Sequence, residues 1–106
     1  MVSTLQVQYA YVSTSATSGQ VVPGQAGNNI LVLQMCTIVS VASNVQFQSS
    51  TGPANVSALF PLAQNGGFVL PYSQVGWFTT AQAGDSLNFV QSSAATIAIQ
   101  VVYCYI

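Results

Sequence analysis

The stretch ILVLQMCTIVSV, residues 30–41, is the most apolar run of this chain and decides how the fold is read. Its apolar residues occupy both alternating sets of positions: Leu31, Leu33, Met35, Val39 and Val41 in one set, and Ile30, Val32, Cys36 and Ile38 in the other. Enrichment in Ile, Val and Thr favours a strand over a helix. Because strands that are apolar on both faces are covered on both faces, the run predicts a central strand with Leu33 in the core.

The segments on either side of this run are shorter and alternate. Residues 5–11 place Leu5, Val7, Tyr9 and Tyr11 between Gln6, Gln8 and Ala10, which predicts a strand with one face in water. Residues 96–106 place Ile97, Ile99, Val101, Tyr103 and Tyr105 on one face of a long last strand. Shorter strands are predicted around Val21 and within residues 45–48, 56–62, 68–70, 77–78 and 86–91.

Turn signals separate these strands. Pro23-Gly24 and Ser43-Asn44 are two of them, and Gln64-Asn65-Gly66-Gly67 is a hairpin-type turn whose residues tolerate positive φ. About eight short strands at this spacing predict an all-β antiparallel sandwich, jelly-roll-like. The 106 residues form one domain, with residues 1–28 as a candidate N-terminal arm or edge strand.

The near-total loss of charge excludes several functions. The chain has no Lys, Arg or His and a single acidic residue, Asp85. Nucleic acids and anionic membranes are bound through cationic side chains, so neither is an expected partner. Transition-metal sites need His, several Cys or clustered carboxylates, so we expect no metal and no cofactor. An uncharged surface of Ser, Thr and Gln can belong to a soluble protein. The favoured interpretation is a component of an assembly, because burying such a surface carries no ionic desolvation cost.

Catalytic constellations are also missing. Gly84-Asp85-Ser86-Leu87 matches the motif of a lipase and esterase family, but that chemistry needs a His to take the serine proton. We therefore interpret the motif as a β-turn in which Asp85 accepts hydrogen bonds from turn amides. Glycoside hydrolysis needs two side-chain carboxylates, and only one is present. The expectation is that the protein is not an enzyme.

The two cysteines, Cys36 and Cys104, both fall in predicted core strands. A disulfide between them is one interpretation. Two buried, reduced thiols is the favoured one, since the chain has only two cysteines and no recognisable signal peptide. Neither cysteine has a basic neighbour that would activate it, so we expect no nucleophilic role.

Residues 66–87, GGFVLPYSQVGWFTTAQAGDSL, form the long connection between strand-like segments. The connection contains the only Trp, and its aromatic residues Tyr72, Trp77 and Phe78 are candidate partner contacts. Together with Tyr9 and Tyr11 they could instead form a platform on which sugars stack. Packing in the core and at interfaces is the favoured role for these rings.

From about residue 29 onward the chain resembles small all-β virion proteins of tailed bacteriophages, a group that includes capsid decoration, or cement, proteins. The resemblance is carried by ILVLQMCTIVSVAS, NVQFQSS, PLAQNGG, PYSQVGWF, TTAQAGDSLNF and the final VVY, in that order. Relatives normally carry charged loops, so the lack of charge is a departure that argues against attachment by salt bridges.

The resemblance implies a non-enzymatic structural protein of the virion. It would be assembled in the host cytoplasm, bound to the major capsid protein on the capsid exterior and present as a homotrimer that stabilises the head. Two alternatives remain open at this stage. One is a receptor- or glycan-binding module of a phage fibre, and the other is a self-assembling surface or matrix protein.

Overall fold

The structure is a computed structural model that describes residues 6–106, and the predicted contribution of Leu5 to the first strand lies outside this range. Within it the chain forms ten strands: β1 Gln8–Thr14, β2 Ser18–Val22, β3 Ile30–Val39, β4 Ser43–Ser49, β5 Ala54–Asn55, β6 Phe60–Leu62, β7 Gly67–Leu70, β8 Phe78–Thr79, β9 Leu87–Gln91 and β10 Ile97–Tyr105.

The strands form two antiparallel sheets that pack face to face. The first sheet has the order β1-β10-β3-β7, with β8 also on β3, and the second has the order β2-β9-β4-β5, with β6 also on β4. The chain passes from one sheet to the other between β1 and β2, β2 and β3, and β3 and β4. This strand order is that of a jelly roll, which confirms the predicted fold class.

Two of the eight jelly-roll positions are split, which is why ten strands are found. On the edge of β4, β5 pairs with Gln48 and Ser49 while β6 pairs with residues 43–45. On the edge of β3, β7 pairs with residues 35–38 and β8 with Leu31 and Val32. The single strand predicted for residues 56–62 is therefore wrong in its bounds. Pro61 lies within β6, where an edge position tolerates its missing N–H.

The prediction that both faces of β3 are covered is wrong, because the register of this strand shifts by one residue. Val102 of β10 pairs with Gln34 and Tyr103 pairs with Val32, so Leu33 is an additional residue in β3. Before the bulge the even-numbered residues face the core, and after it the odd-numbered ones do. Ile38 is consequently 49% exposed, and Leu33, although buried, lies outside the main core cluster.

The first strand alternates as predicted, but its large side chains point outward. Tyr9 and Tyr11 are 69% and 75% exposed, whereas Ala10 and Val12 pack against the core. The register of β1 on β10 runs without a shift from Gln8 opposite Tyr103 to Thr14 opposite Ile97. The pairing thus places the smaller side chains of β1 inside and both tyrosines in water.

The core lies between the two sheets and is filled mainly by β3, β4, β9 and β10. One face of β10 is buried as predicted, with Ile97, Ile99 and Val101 fully inside. Around the buried Phe47 an aromatic cluster forms, in which Phe78 stacks at 5.9 Å and Phe60 and Phe68 meet it edge-on at 6.5 Å. This cluster joins the two sheets at the end where the split strands lie.

The turn at residues 64–67 has the predicted chemistry but a different role. Asn65 takes a left-handed conformation with φ of 57°, and the Gly66 amide donates to the Ala63 carbonyl at 2.8 Å. The turn connects β6 of the second sheet to β7 of the first, so it is a crossover rather than a hairpin. At Gly67 a side chain would collide with the Thr37 backbone carbonyl, which explains the glycine there.

Candidate functional site

The segment between β7 and β8, residues 71–77, carries two of the three predicted contact residues. It runs along the edge of β3, where the Ser73 amide donates to the Leu33 carbonyl at 2.9 Å and the Trp77 amide donates to the Val32 carbonyl at 2.7 Å. Gly76 has a φ of 82°, and any side chain on it would collide with Leu31. The segment is therefore fixed to the sheet by its backbone.

The side chains of this segment point largely to solvent. Trp77 is 45% exposed, Tyr72 is 52% exposed and Val75, near the tip, is 87% exposed. The indole Nε1–H of Trp77 donates to the Pro71 carbonyl at 2.7 Å, so the one polar group of this ring is used within the segment. This hydrogen bond fixes the orientation of the Trp77 ring, whose exposed apolar surface is available to a partner.

Phe78 separates from the other two predicted contacts. It is half-buried, packs against the core and stacks on Phe47. Together with Trp77, Phe78 lines an open apolar cavity of about 330 Å³ on this side of the sandwich, whose other lining residues are Val56, Ser57, Ala58, Phe60 and Leu70. Tyr72 is not among the residues that line it.

A second surface is the outer face of the first sheet. Tyr9 and Tyr11 on β1, Ile38 on β3 and Val69 on β7 are all exposed on it. Between β1 and β3 lies a shallow groove of about 340 Å³, whose lining includes Tyr11, Cys36, Ile38 and Gln100. The face combines apolar side chains with neutral amides and hydroxyls.

The structure does not bring the five aromatic residues of the sugar-platform hypothesis together. Tyr9 and Tyr11 lie on the β1 edge of the first sheet, whereas Tyr72 and Trp77 lie on the segment beside β7 and β8 at its other edge. Phe78 faces inward. Two separate aromatic surfaces replace the single platform.

Asp85 is buried, with 5% of its surface exposed, and it links two loops. Its carboxylate accepts hydrogen bonds from the hydroxyls of Ser49 and Thr51 and from the Thr51 amide at 3.2 Å. These bonds, led by those from the Ser49 and Thr51 hydroxyls, hold the pKa of Asp85 below its ordinary value of 3.8. The donors belong to β4 and the loop after it, so the predicted bonding to amides of its own turn is wrong.

Asp85 also decides the charge of the surface. It is the only charged side chain in the sequence, and its carboxylate is taken up by this clamp. Over residues 6–106 the protein therefore shows solvent no charged side chain. Sequence reasoning missed Ser49 and Thr51, because nothing in their local pattern marks them as partners of a residue more than thirty positions away.

The two cysteines are unpaired, and one of them is exposed. Cys104 is buried, which raises the pKa of its thiol, whereas Cys36 lies on the outer face of the first sheet. The expectation of two buried thiols is therefore wrong for Cys36. Cys36 pairs with Gln100, four residues before Cys104, which separates the two Cα atoms by about 13 Å. A disulfide within the chain does not fit this distance.

Another buried polar side chain, Gln91, ties separate segments of the fold together. Gln91 accepts from the Ser43 hydroxyl at 3.0 Å and donates to the carbonyls of Ala16 and Ala95 at 2.8 and 2.9 Å. In the described part of the chain no three His, Cys, Asp or Glu side chains lie close enough to hold a metal ion. Gln91 thus acts as a structural tie, whereas the buried hydroxyl of Thr37 has no hydrogen-bond partner among residues 6–106.

Comparison with family models, with curated proteins and with solved structures finds no match for this chain. The resemblance to phage decoration proteins therefore stays a prediction. Across residues 6–106 we find no helix long and apolar enough to cross a membrane.

Proposed function

We propose that this chain is a non-enzymatic structural protein of a tailed-phage virion, a decoration or cement protein that binds the major capsid protein on the outer face of the capsid. The observation that carries the proposal is that residues 6–106 expose no charged side chain but expose Tyr9, Tyr11, Val69, Val75 and Trp77. Surfaces of this kind lose little on burial, since no ion has to be desolvated. Jelly rolls are also common among capsid proteins, an analogy at the level of the fold.

Two surfaces of the protein have different roles in this proposal. The segment of residues 71–77 makes the capsid contact, because it projects apolar side chains from a backbone tied to β3. The outer face of the first sheet remains available for contacts between copies in the homotrimer that the resemblance implies. Assembly in the host cytoplasm and residence on the capsid exterior belong to the same proposal.

The capsid contact is tested by Val75→Asp, with Leu59→Asp as the matched control. Both residues are exposed apolar side chains outside the core, at 87% and 52% exposure. Co-sedimentation with capsids should fall at least tenfold in the Val75 variant and stay unchanged in the control. Equal binding by both variants would place the contact elsewhere on the molecule.

The nature of the contact is tested by salt. Binding should depend little on ionic strength, because this partner offers almost no charge to screen. Release from capsids as salt rises, without unfolding, would contradict an apolar and neutral interface. The stabilising role is tested by heating virions with and without the protein. Particles that lack it should lose DNA at lower temperature, and identical heat tolerance would contradict the cement role.

A further inference from the structure

The free edge of β1 is the strongest unassigned feature of the fold. β1 is seven residues long and pairs with β10 on one side. Among residues 6–106 no strand pairs with its other side, and β1 is the terminal strand of its sheet. An edge of this kind presents alternate backbone N–H and C=O groups that another strand can bind.

Three of the devices by which proteins block such an edge are missing from β1. Its sequence, QYAYVST, contains no charged residue and no proline. Its register on β10 runs through all seven residues without a bulge. Natural edge strands are commonly shortened, charged, bulged or covered, because an open edge promotes association. β1 has none of the first three protections.

We propose that two copies of this chain pair through their β1 edges, antiparallel, so that two five-stranded sheets become one continuous ten-stranded sheet around a twofold axis. The inference goes beyond the proposed function and rests on it only in assuming that the protein works as an assembly. The contact joins each copy to one other copy of the same chain.

The β1 edge fits a copy of itself in register. With all seven residues paired, Tyr11 at the centre lies opposite Tyr11 of the other copy, and Tyr9 lies opposite Ser13. These side chains share the exposed outer face, with Tyr9 and Tyr11 69% and 75% exposed before pairing. Aromatic side chains directly opposite each other are favourable cross-strand pairs. No like charges meet anywhere along the pair.

The other edge of the first sheet, β7, is a poorer partner for β1 of a second copy. β7 has only four residues, and Pro71 follows it directly, so a head-to-tail pairing of β1 with β7 would leave much of β1 unpaired. A β1–β1 pair matches two edges of equal length. It also closes on itself, whereas head-to-tail pairing builds rings or open filaments.

The expected interface is modest in area. The exposed parts of four tyrosines provide about 430–720 Å², and two seven-residue backbone edges add to this. Stable interfaces bury about 1,200 Å² or more in total, so the pair sits near the lower limit. Pairing should therefore depend on protein concentration, as expected for a modest affinity.

A twofold contact requires an even number of copies. The protein alone should have twice the 11.0 kDa mass of one chain, or six times that mass if the trimer implied by the resemblance also forms and two trimers join. Light scattering of the purified full chain over a range of concentrations measures this. A mass that stays at one or three chains at the highest concentration would overturn the inference.

Substitution at the centre of β1 tests the same contact. Tyr11→Lys places two like charges opposite each other and should halve the mass, from dimer to monomer or from hexamer to trimer. Leu59→Lys, which adds the same charge at an exposed apolar position outside the first sheet, should leave the mass unchanged. Circular dichroism shows whether both variants are folded. A folded Tyr11 variant of unchanged mass would overturn the pairing.

The register is tested by two double variants. Tyr9→Lys with Ser13→Glu puts opposite charges across the pair and should keep it, whereas Tyr9→Lys with Ser13→Lys puts like charges there and should break it. Identical masses for the two would overturn the proposed register. Because these measurements use the protein without capsids, their failure leaves the capsid-binding test of the proposed function untouched.

Discussion

Ile97→Ala and Ile38→Ala should differ sharply in stability, although the sequence pattern places both residues in the core. Ile97 on β10 is fully buried, whereas Ile38 on the neighbouring β3 is 49% exposed. The two strands are paired at this end of the sheet, with Ile97 opposite Val39 and Ile38 opposite Ala98. The two substitutions thus remove the same atoms from the same region, on opposite faces.

The magnitudes follow from burial. Replacing Ile by Ala removes three carbons, each worth about 0.8 kcal/mol when fully buried. For Ile97 this gives about 2.4 kcal/mol, and the cavity left between the sheets raises the loss toward the observed range of about 2–5 kcal/mol. For Ile38 roughly half the transfer term applies and no cavity forms, which leaves about 1 kcal/mol or less.

Thermal or urea unfolding followed by circular dichroism measures the difference. At about 4 °C per kcal/mol for a chain of this size, Tm should fall by roughly 10–20 °C for the Ile97 variant and by at most about 4 °C for the Ile38 variant. Measurements at one fixed protein concentration keep association from biasing the comparison. Equal losses in the two variants would refute the shift of β3 at Leu33 that turns Ile38 outward.

Three further predictions address the thiols, the acid clamp and the 71–77 segment. Cys36 should react with a thiol reagent in the folded protein while Cys104 reacts only on unfolding, and finding fewer than two thiols in denaturant would contradict the unpaired state. Because the pKa of Asp85 is lowered in the folded protein, its contribution to stability is complete above its ordinary pKa and is lost as pH falls through the folded pKa, so stability should be flat between about pH 5 and 8. Asp85→Asn should lower Tm near neutral pH and make stability depend less on acid pH. A variant whose stability has the same pH profile as the wild type would argue against the clamp. Gly76→Ala should lower stability by about 1 kcal/mol or more, because the backbone there has positive φ and Leu31 fills the space beside it, and a Tm equal to that of the wild type would show that the segment adapts freely.

Local sequence patterns were enough to predict the class of the fold, which the structure confirms. Alternation with a period of two, frequent turn residues and β-branched runs require no tertiary information, because they follow from local strand geometry. The last strand illustrates this, since Ile97, Ile99 and Val101 were predicted on one face and are buried on one face. The missing His, Lys and Arg are equally a property of composition alone.

The tertiary structure decided which face of each strand is inside. Alternation states that two faces differ, but the pairing of distant strands determines which of them meets the other sheet. One additional residue at Leu33 reverses the inward face of β3 and exposes Cys36 and Ile38. In β1, pairing with β10 turns Tyr9 outward, against the expectation from hydrophobicity.

For the candidate surfaces, too, exposure depends on the tertiary structure and not on the local sequence pattern. The sequence predicted Tyr72, Trp77 and Phe78 as candidate contacts. Tyr72 and Trp77 are exposed, whereas Phe78 is half-buried against the core and stacks on Phe47. The partners of Asp85 come from a loop more than thirty residues earlier, so only the folded chain brings them together. Local sequence patterns determine periodicity and residue chemistry. Burial and contacts depend on pairings between strands that are far apart in the sequence, and one added residue in a strand is enough to reverse which of its faces is buried.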